Sequence, residues 1–569
     1  ARRMEKGIRG IPKVRQEFAG TYFDELYERV VDNRRLPVWE GELYFEYHRG
    51  TYTSMARNKR SNRKSEFLMM NLELLSVLAS FKGAVDEKEQ IDKMWKTILL
   101  NQFHDILPGS SIHEVYEVTK QEYEELAEAG EALLADKMEK VAGRGDFVTL
   151  FNTLGMVRDD MVRLPEEICG ALEDENGERY PIQKLAGENI AWVRQLPSKG
   201  FKSFRVADDC GGEGLNKEPL FLVGDETLET PWYTVRLDEN GLFTSIYDKH
   251  NDREILQPGK QGNLFRMYED KPIYYDNWDI DIYYTEKSWD ALHCSRKEWT
   301  FIGPVCAVLE LERSISNSLI RQKIYFYADT PRIDFETYVD WKEHQHLLKV
   351  QFPLDVHTDE AAFDIQFGNL TRKVHTNTSW DMARFESCGQ KWIDLSEGHY
   401  GVSLLNDCKY GHSVKDSVVS LTLIKSGIEP NPVTDQEEHW FTYALYPHRG
   451  NLRECDTVPE SYCLNVPVMV RTGSGWTGCA SLLSVTCKNI MVETVKPAED
   501  GDGIILRMYE YENARTKAEV IFGMNQKIAR VQECNLMEEP EGEPLEHQTD
   551  RFAFVIRPYE IKTYRVVLQ

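Results

Sequence analysis

The sequence predicts an α+β multidomain protein in which a three-helix bundle is followed by large all-β sandwich domains. Three observations carry that reading. Apolar residues keep a helical spacing from residue 54 to 142. After Gly143-Arg144-Gly145 the spacing changes to short alternating runs broken by Gly, Asn, Asp and Pro. The length, 569 residues, exceeds what one core serves at roughly 100 to 200 residues per domain.

Composition narrows the function classes. With 41% hydrophobic residues, 27 Tyr, 24 Phe and 12 Trp, the chain can bury large cores and is not disordered. The 94 acidic residues against 68 basic ones leave a net charge of -26, which repels a phosphate backbone and an anionic membrane surface, so neither nucleic acid nor membrane is an expected partner. No apolar run approaches the roughly 20 residues of a membrane span. Eleven cysteines, an odd number without a Cys-x-x-Cys pair, favour reduced thiols and a cytoplasmic location.

In chain order, residues 1 to about 45 hold a basic opening, a helix with Tyr22, Phe23, Leu26, Tyr27, Val30 and Val31 on one face, and an extended segment from Leu36-Pro37-Val38-Trp39. A helix and one strand cannot bury their own apolar faces, so residues 1–53 read as the tail of a larger unit. Gly41 to Ser54 is dense in Glu, Tyr, His and Arg. It reads either as an exposed amphipathic strand with a charge pair or as the wall of a sugar pocket. Residues 54–142 read as the bundle: Phe67, Leu68, Leu72, Leu75 and Leu78 stripe its first helix, Asp86 to Leu107 make the second, and Ser111 with Glu114 forms a capping box for the third. Residues 146–569 read as the β-sandwich domains, with breaks near 228 and 453, strands such as Phe147–Phe151 and Gln322–Tyr327, and a hairpin at Asp238-Glu239-Asn240-Gly241.

The stretch Leu99 to Ser111 stands apart, because polar residues interrupt an apolar helix end. Ile91, Met94, Trp95, Ile98, Leu99 and Gln102 form one buried stripe, and on a continuous helix His104 projects to the opposite side. A His beside an Asp is either a metal ligand with a carboxylate neighbour or a buried imidazole with a hydrogen-bonded partner.

The run Asn101-Gln102-Phe103-His104-Asp105-Ile106-Leu107-Pro108-Gly109-Ser110-Ser111 resembles the metal-ligand segment of the retaining α-mannosidases of glycoside hydrolase family 38. Gly41 to Glu66 resembles the same family's junction into its bundle. Glu269 to Asp279 and Leu404 to His412 resemble segments of its β domain. The resemblance implies hydrolysis of terminal α-linked mannose with retention, assisted by zinc. It makes His104 a zinc ligand and Asp105 a sugar contact, and it makes Glu46 the candidate acid with Glu42 in reserve. Tyr47, His48, Arg49 and Tyr52 would shape the pocket. The family's nucleophile and remaining ligands belong to an N-terminal α/β barrel with no matching segment here, and His357-Thr358-Asp359 lies in the wrong place to replace them. The expected partners are therefore a mannose-containing oligosaccharide and the missing N-terminal catalytic domain, with a homo-oligomer left open. The chain alone is expected to be inactive. The alternative is a carbohydrate-binding or structural β module without catalysis.

Overall fold

The computed structural model describes residues 2–43, 47–84, 87–208 and 219–569. The chain divides into two units, 1–45 and 46–569. In the first, the helix Ala19–Val30 buries none of its residues, and Arg15 pairs with Glu25 at 2.5 Å.

The second unit opens with a 3-10 turn, Arg49–Tyr52, and three helices, Ala56–Ser80, Lys88–Asn101 and His113–Ala142. The helices share a core of Met69, Leu72, Ile91, Met94, Ile98, Tyr123, Leu126 and Leu133. Gly130 lets the first and third approach, since a Cβ there would meet Leu68 Cδ2 at 2.6 Å. The first helix also buries Leu74, Leu75, Val77 and Leu78 in a second core, together with Val492, Leu506, Val520, Phe554 and Val566 of the C-terminal strands. A helix buried on two sides needs more than one apolar stripe, and this one is apolar nearly all round towards its C-terminal end.

Three expectations are corrected. The second helix stops at Asn101, not Leu107. Asn101 turns its buried amide back onto Thr97 O at 3.1 Å and across to Glu122 at 2.8 Å, and Phe103 N then bonds to Leu100 O in a tighter turn. His104 therefore sits on a run of turns, where helical spacing does not apply. The capping box is absent: Ile112 is the N-cap residue, and the Ser111 hydroxyl is spent on Asp105 O at 3.0 Å. Among the described residues of 41–54 there is no strand, only the 3-10 turn entered through His48 at φ 71°.

All β pairing is antiparallel among the described strands. The first β sheet gathers strands between Phe147 and Ala207 and is completed by Met469–Ser474 against Phe147–Asn152 and by Cys479–Ser481 against Gly200–Ala207. A nine-stranded sheet runs from Cys294–Ile302 at one edge through Ser318–Tyr327, Ile333–Asp340 and Glu438–Arg449 to Gly368–Lys373 at the other. Its inner face packs on a six-stranded sheet that holds Leu264–Glu269, His346–Pro353 and Val418–Lys425, with Ile324, Phe335, Val350, Phe352, Leu421 and Tyr443 between them. Smaller three- and four-stranded sheets between Leu483 and Leu568 form the last sandwich. The expected hairpin joins Tyr233–Leu237 to Phe243–Asp248, with Gly241 at φ 70° and Asp238 Oδ1 accepting from Asn240 N and Leu242 N.

Candidate functional site

Residues 105–110 form a turn whose backbone is held from outside at consecutive carbonyls. Asp105 O accepts from Tyr116 Oη at 3.1 Å and Ile106 O from Asn58 Nδ2 at 3.3 Å. Lys59 Nζ donates to Leu107 O at 2.8 Å, to Pro108 O at 3.1 Å and to Ser54 O at 2.6 Å. Gly109 O accepts from Asn277 Nδ2 at 3.1 Å. These donors are buried, so each carbonyl would lose its partner without gaining water if the turn moved. Burial pushes the Lys59 ammonium well below its usual range, with Asp435 opposing that shift.

Gly109 cannot be another residue here. Its φ is 92°, and a Cβ would stand 2.2 Å from Ser54 O. Ser54 in turn donates to Asn277 O at 2.7 Å, and Asp435 accepts from Met55 N at 2.8 Å and Ala56 N at 2.7 Å, capping the first bundle helix with a carboxylate. Burial pushes the Asp435 acid up, with Glu437 adding to the shift. Asn277 and Thr434 join the same network at 2.8 Å. Four distant pieces of chain, 48–59, 105–110, 277–279 and 434–435, are thus bound into one cluster.

On this base stand the residues singled out from sequence. The His104 side chain is 76% exposed, with Nε2 3.3 Å from Asp105 Oδ2 and its ring 4.2 Å from that of Phe103. Asp105 Oδ1 accepts from Ser110 Oγ at 3.0 Å. Leu99, Leu100 and Phe103 beside them are exposed as well. Tyr47 is exposed, Tyr52 is half-buried in the 3-10 turn, and His48 N–H donates to the Asp279 carboxylate. Burial raises the Asp279 acid. Arg49 is buried: Nε donates to Ala383 O at 2.8 Å and the guanidinium lies 4.6 Å from the centre of the Phe385 ring. Glu42 is exposed in the first unit, and Glu46 lies outside the described residues.

The structure adds Asp270 to Asp279, read from sequence only as a β-domain segment. Gly50 N bonds to Trp278 O at 2.8 Å, Asp276 accepts from Ile428 N and Glu429 N at 2.8 Å each, and Asp270 pairs with buried Lys425. Its tip, Ile273, Tyr274 and Tyr275, is exposed. The density of Tyr, Asp and Trp in this segment was the available signal. Lys59 and Asp435 carried none, because they act on backbone atoms.

Among the described residues, no group of three or more His, Cys, Asp and Glu side chains converges as a metal site. Zinc takes four donors and His104 offers one imidazole, so these residues do not fit a zinc ion by themselves.

Comparison with known proteins finds three matching domain families. Residues 46–141 match the α-mannosidase middle domain, 228–433 the glycosyl hydrolases family 38 C-terminal domain, and 489–564 the family's C-terminal beta sandwich domain. The chain is 32% identical to alpha-mannosidase 2C1 of Mus musculus over 98% of its own length and 53% of the relative's. It is 29% identical to alpha-mannosidase G of Dictyostelium discoideum over 99% of its length and 55% of the relative's. The chain thus spans about half the length of the curated relatives it matches. An alpha-mannosidase from Enterococcus faecalis V583 superposes with a TM-score of 0.78 at 18% identity, covering 95% of this chain and 72% of that one, a likeness of fold.

Proposed function

Starting from a chain that carries the middle and C-terminal domains of the family 38 α-mannosidases, we propose that it supplies one wall of a retaining α-mannosidase site for terminal α-linked mannose of oligosaccharides. The observation that carries this reading is the contrast at residues 104–109. Five consecutive carbonyls, from Asp105 to Gly109, are tied by donors from elsewhere in the fold, while the neighbouring imidazole stands in the open. A core residue has no need of such a mounting, whereas a group that must meet a ligand at fixed geometry does.

In this reading Asp105 accepts a hydrogen bond from a sugar hydroxyl, and Tyr47 and Tyr52 offer ring faces to a pyranose. Arg49, being buried, holds the 47–54 loop against Ala383 and Phe385 and leaves the sugar to its neighbours. Retaining hydrolysis takes two carboxyl groups, one attacking the anomeric carbon and one protonating the leaving oxygen. Glu46 is proposed as the acid, with Glu42 in reserve. The nucleophile is assigned to residues outside these 569, as are the partners that would hold zinc together with His104. We assign residues 1–53 to the tail of the catalytic domain, 54–142 to the middle domain and 146–569 to the β domains, with breaks near 228 and 453. The ten described cysteines are free thiols, which supports a cytoplasmic setting.

The test measures metal content and aryl α-mannoside hydrolysis on the 569-residue chain beside a version extended at its N-terminus to the relatives' length. The extended protein is expected to hold near one zinc per chain and to turn over, and the shorter one to do neither. His104→Ala in the extended protein should lower activity by about 100-fold or more while shifting stability by under about 0.5 kcal/mol, as expected of an exposed ligand. Vigorous turnover by the 569 residues alone would overturn the assignment of the nucleophile.

A further inference from the structure

One face of the nine-stranded sheet lies in the core. The other is covered over Tyr325 and Tyr327 by Ile190 and Trp192 of the first sheet, and over Ala444 and Tyr446 by Val458 and Tyr462, and it is open around Trp440. Strand pairing sets Arg296, Glu312, Arg321, Tyr338 and Trp440 side by side across five strands. Arg321 Nε donates to Glu312 at 2.9 Å, and its guanidinium lies 6.0 Å from the Tyr338 ring centre. The Tyr338 ring is 5.4 Å from Trp440, and its hydroxyl donates to Glu438 at 2.6 Å. Alternating charges along such a row stabilise register and keep the face soluble. An open indole at its end serves neither purpose.

Trp440 is 51% exposed, and its N–H meets no acceptor among the described residues. Two concavities, of about 430 and 590 Å³, flank it and share Trp440 and Arg60, the latter reaching over from the first bundle helix. Both volumes fall in the range of small-molecule sites. Four basic side chains lining the first are matched by four acidic ones, which disfavours a polyanion. Arg60 and Lys323 enter no ion pair among the described residues, so their donors remain for a ligand.

A pyranose ring presents a face of C–H bonds and a rim of hydroxyls. Flat aromatic rings take the face, and forked guanidinium donors with neighbouring carboxylates take the rim. We propose that Trp440, Tyr338 and Arg60 form a binding surface for a neutral oligosaccharide, one that shares no residue with the turn carrying His104.

The test titrates α-mannotriose, maltotriose, cellotriose and trigalacturonate into the 569-residue chain by calorimetry, with the variants Trp440→Ala and Arg60→Ala. Trp476→Ala, an exposed indole in the loop between Met469–Ser474 and Cys479–Ser481 that packs against Phe147, is the control. At least one neutral trisaccharide should saturate, Trp440→Ala and Arg60→Ala should each weaken it by about fivefold or more, and the control should not. The proposal is overturned if no neutral sugar saturates by roughly 10 mM, if only trigalacturonate binds, or if either variant binds within about fivefold of the parent. If Trp440→Ala fails to fold, Arg60→Ala decides alone, since it lies on the helix and outside the sheet. None of these readouts depends on His104 or on mannoside hydrolysis, so this proposal and the catalytic one fail separately.

Discussion

Gly109 is the residue on which the mounting of the turn most depends. Substituting Ala adds a methyl group 2.2 Å from Ser54 O and forces a side chain into the left-handed region, so Gly109→Ala should cost about 2–4 kcal/mol in urea unfolding. A loss below about 1 kcal/mol would mean that the 105–110 turn is looser than the bonds to Lys59 and Asn277 imply. At this scale the sequence was unevenly legible. His104 and Asp105 were singled out by the resemblance of the whole run Asn101 to Ser111 and not by the dipeptide alone, whereas Pro108-Gly109 announced a turn by residue type. Lys59, Asn277 and Asp435 were invisible, because any donor or acceptor can serve a backbone group and Asn277 lies 168 residues from Gly109. Arg49 looked like a ligand contact and is buried, since nothing in its neighbours distinguishes a guanidinium facing sugar from one stacked on Phe385.

Among the elements, the helix Ala56–Ser80 and the large sheet bear the most load. Leu75→Ala should cost about 2–5 kcal/mol, because Leu75 lies in the core that the helix shares with the C-terminal strands. Unfolding followed by helical circular dichroism and by C-terminal tryptophan-free probes should then shift together; separate shifts would deny the shared core. In the sheet, His448 Nε2 stands 2.8 Å from Asp394 Oδ2, tying Glu438–Arg449 to Trp392–Ser396. Burial alone would keep this imidazole neutral, but the carboxylate outweighs it and pushes the group up to about 10. With the folded value raised above the unfolded one of about 6.5, the stabilisation is full below pH 6.5 and is lost as pH rises through about 10. The stability gap between the parent and His448→Gln should narrow across that window; a constant gap would deny the charge pair. Bundle and strand types were legible from periodicity alone. The end of the second helix was not, because Asn101 breaks it with a hydrogen bond that spacing does not encode.

For the whole molecule, sequence order and spatial order part company. The sheet begun at Phe147 is finished by Met469–Ser474 and Cys479–Ser481, so a chain truncated after Arg449 should expose an unpaired edge along Phe147–Asn152 and aggregate. A soluble, cooperatively folded 1–449 product would show that these late strands are dispensable. The alternating pattern could announce sandwiches, but not which strands close them, because pairing partners more than 260 residues apart leave no local mark. The shared helix adds a matter of timing. Leu78 and Val566 lie in the same core, and Val566 is made 488 residues after Leu78. At about 5–20 residues per second, one side of that helix waits roughly 25–100 s for its cover during synthesis. Until then the apolar side of that helix is uncovered, and exposed apolar surface on a nascent chain is prone to aggregate.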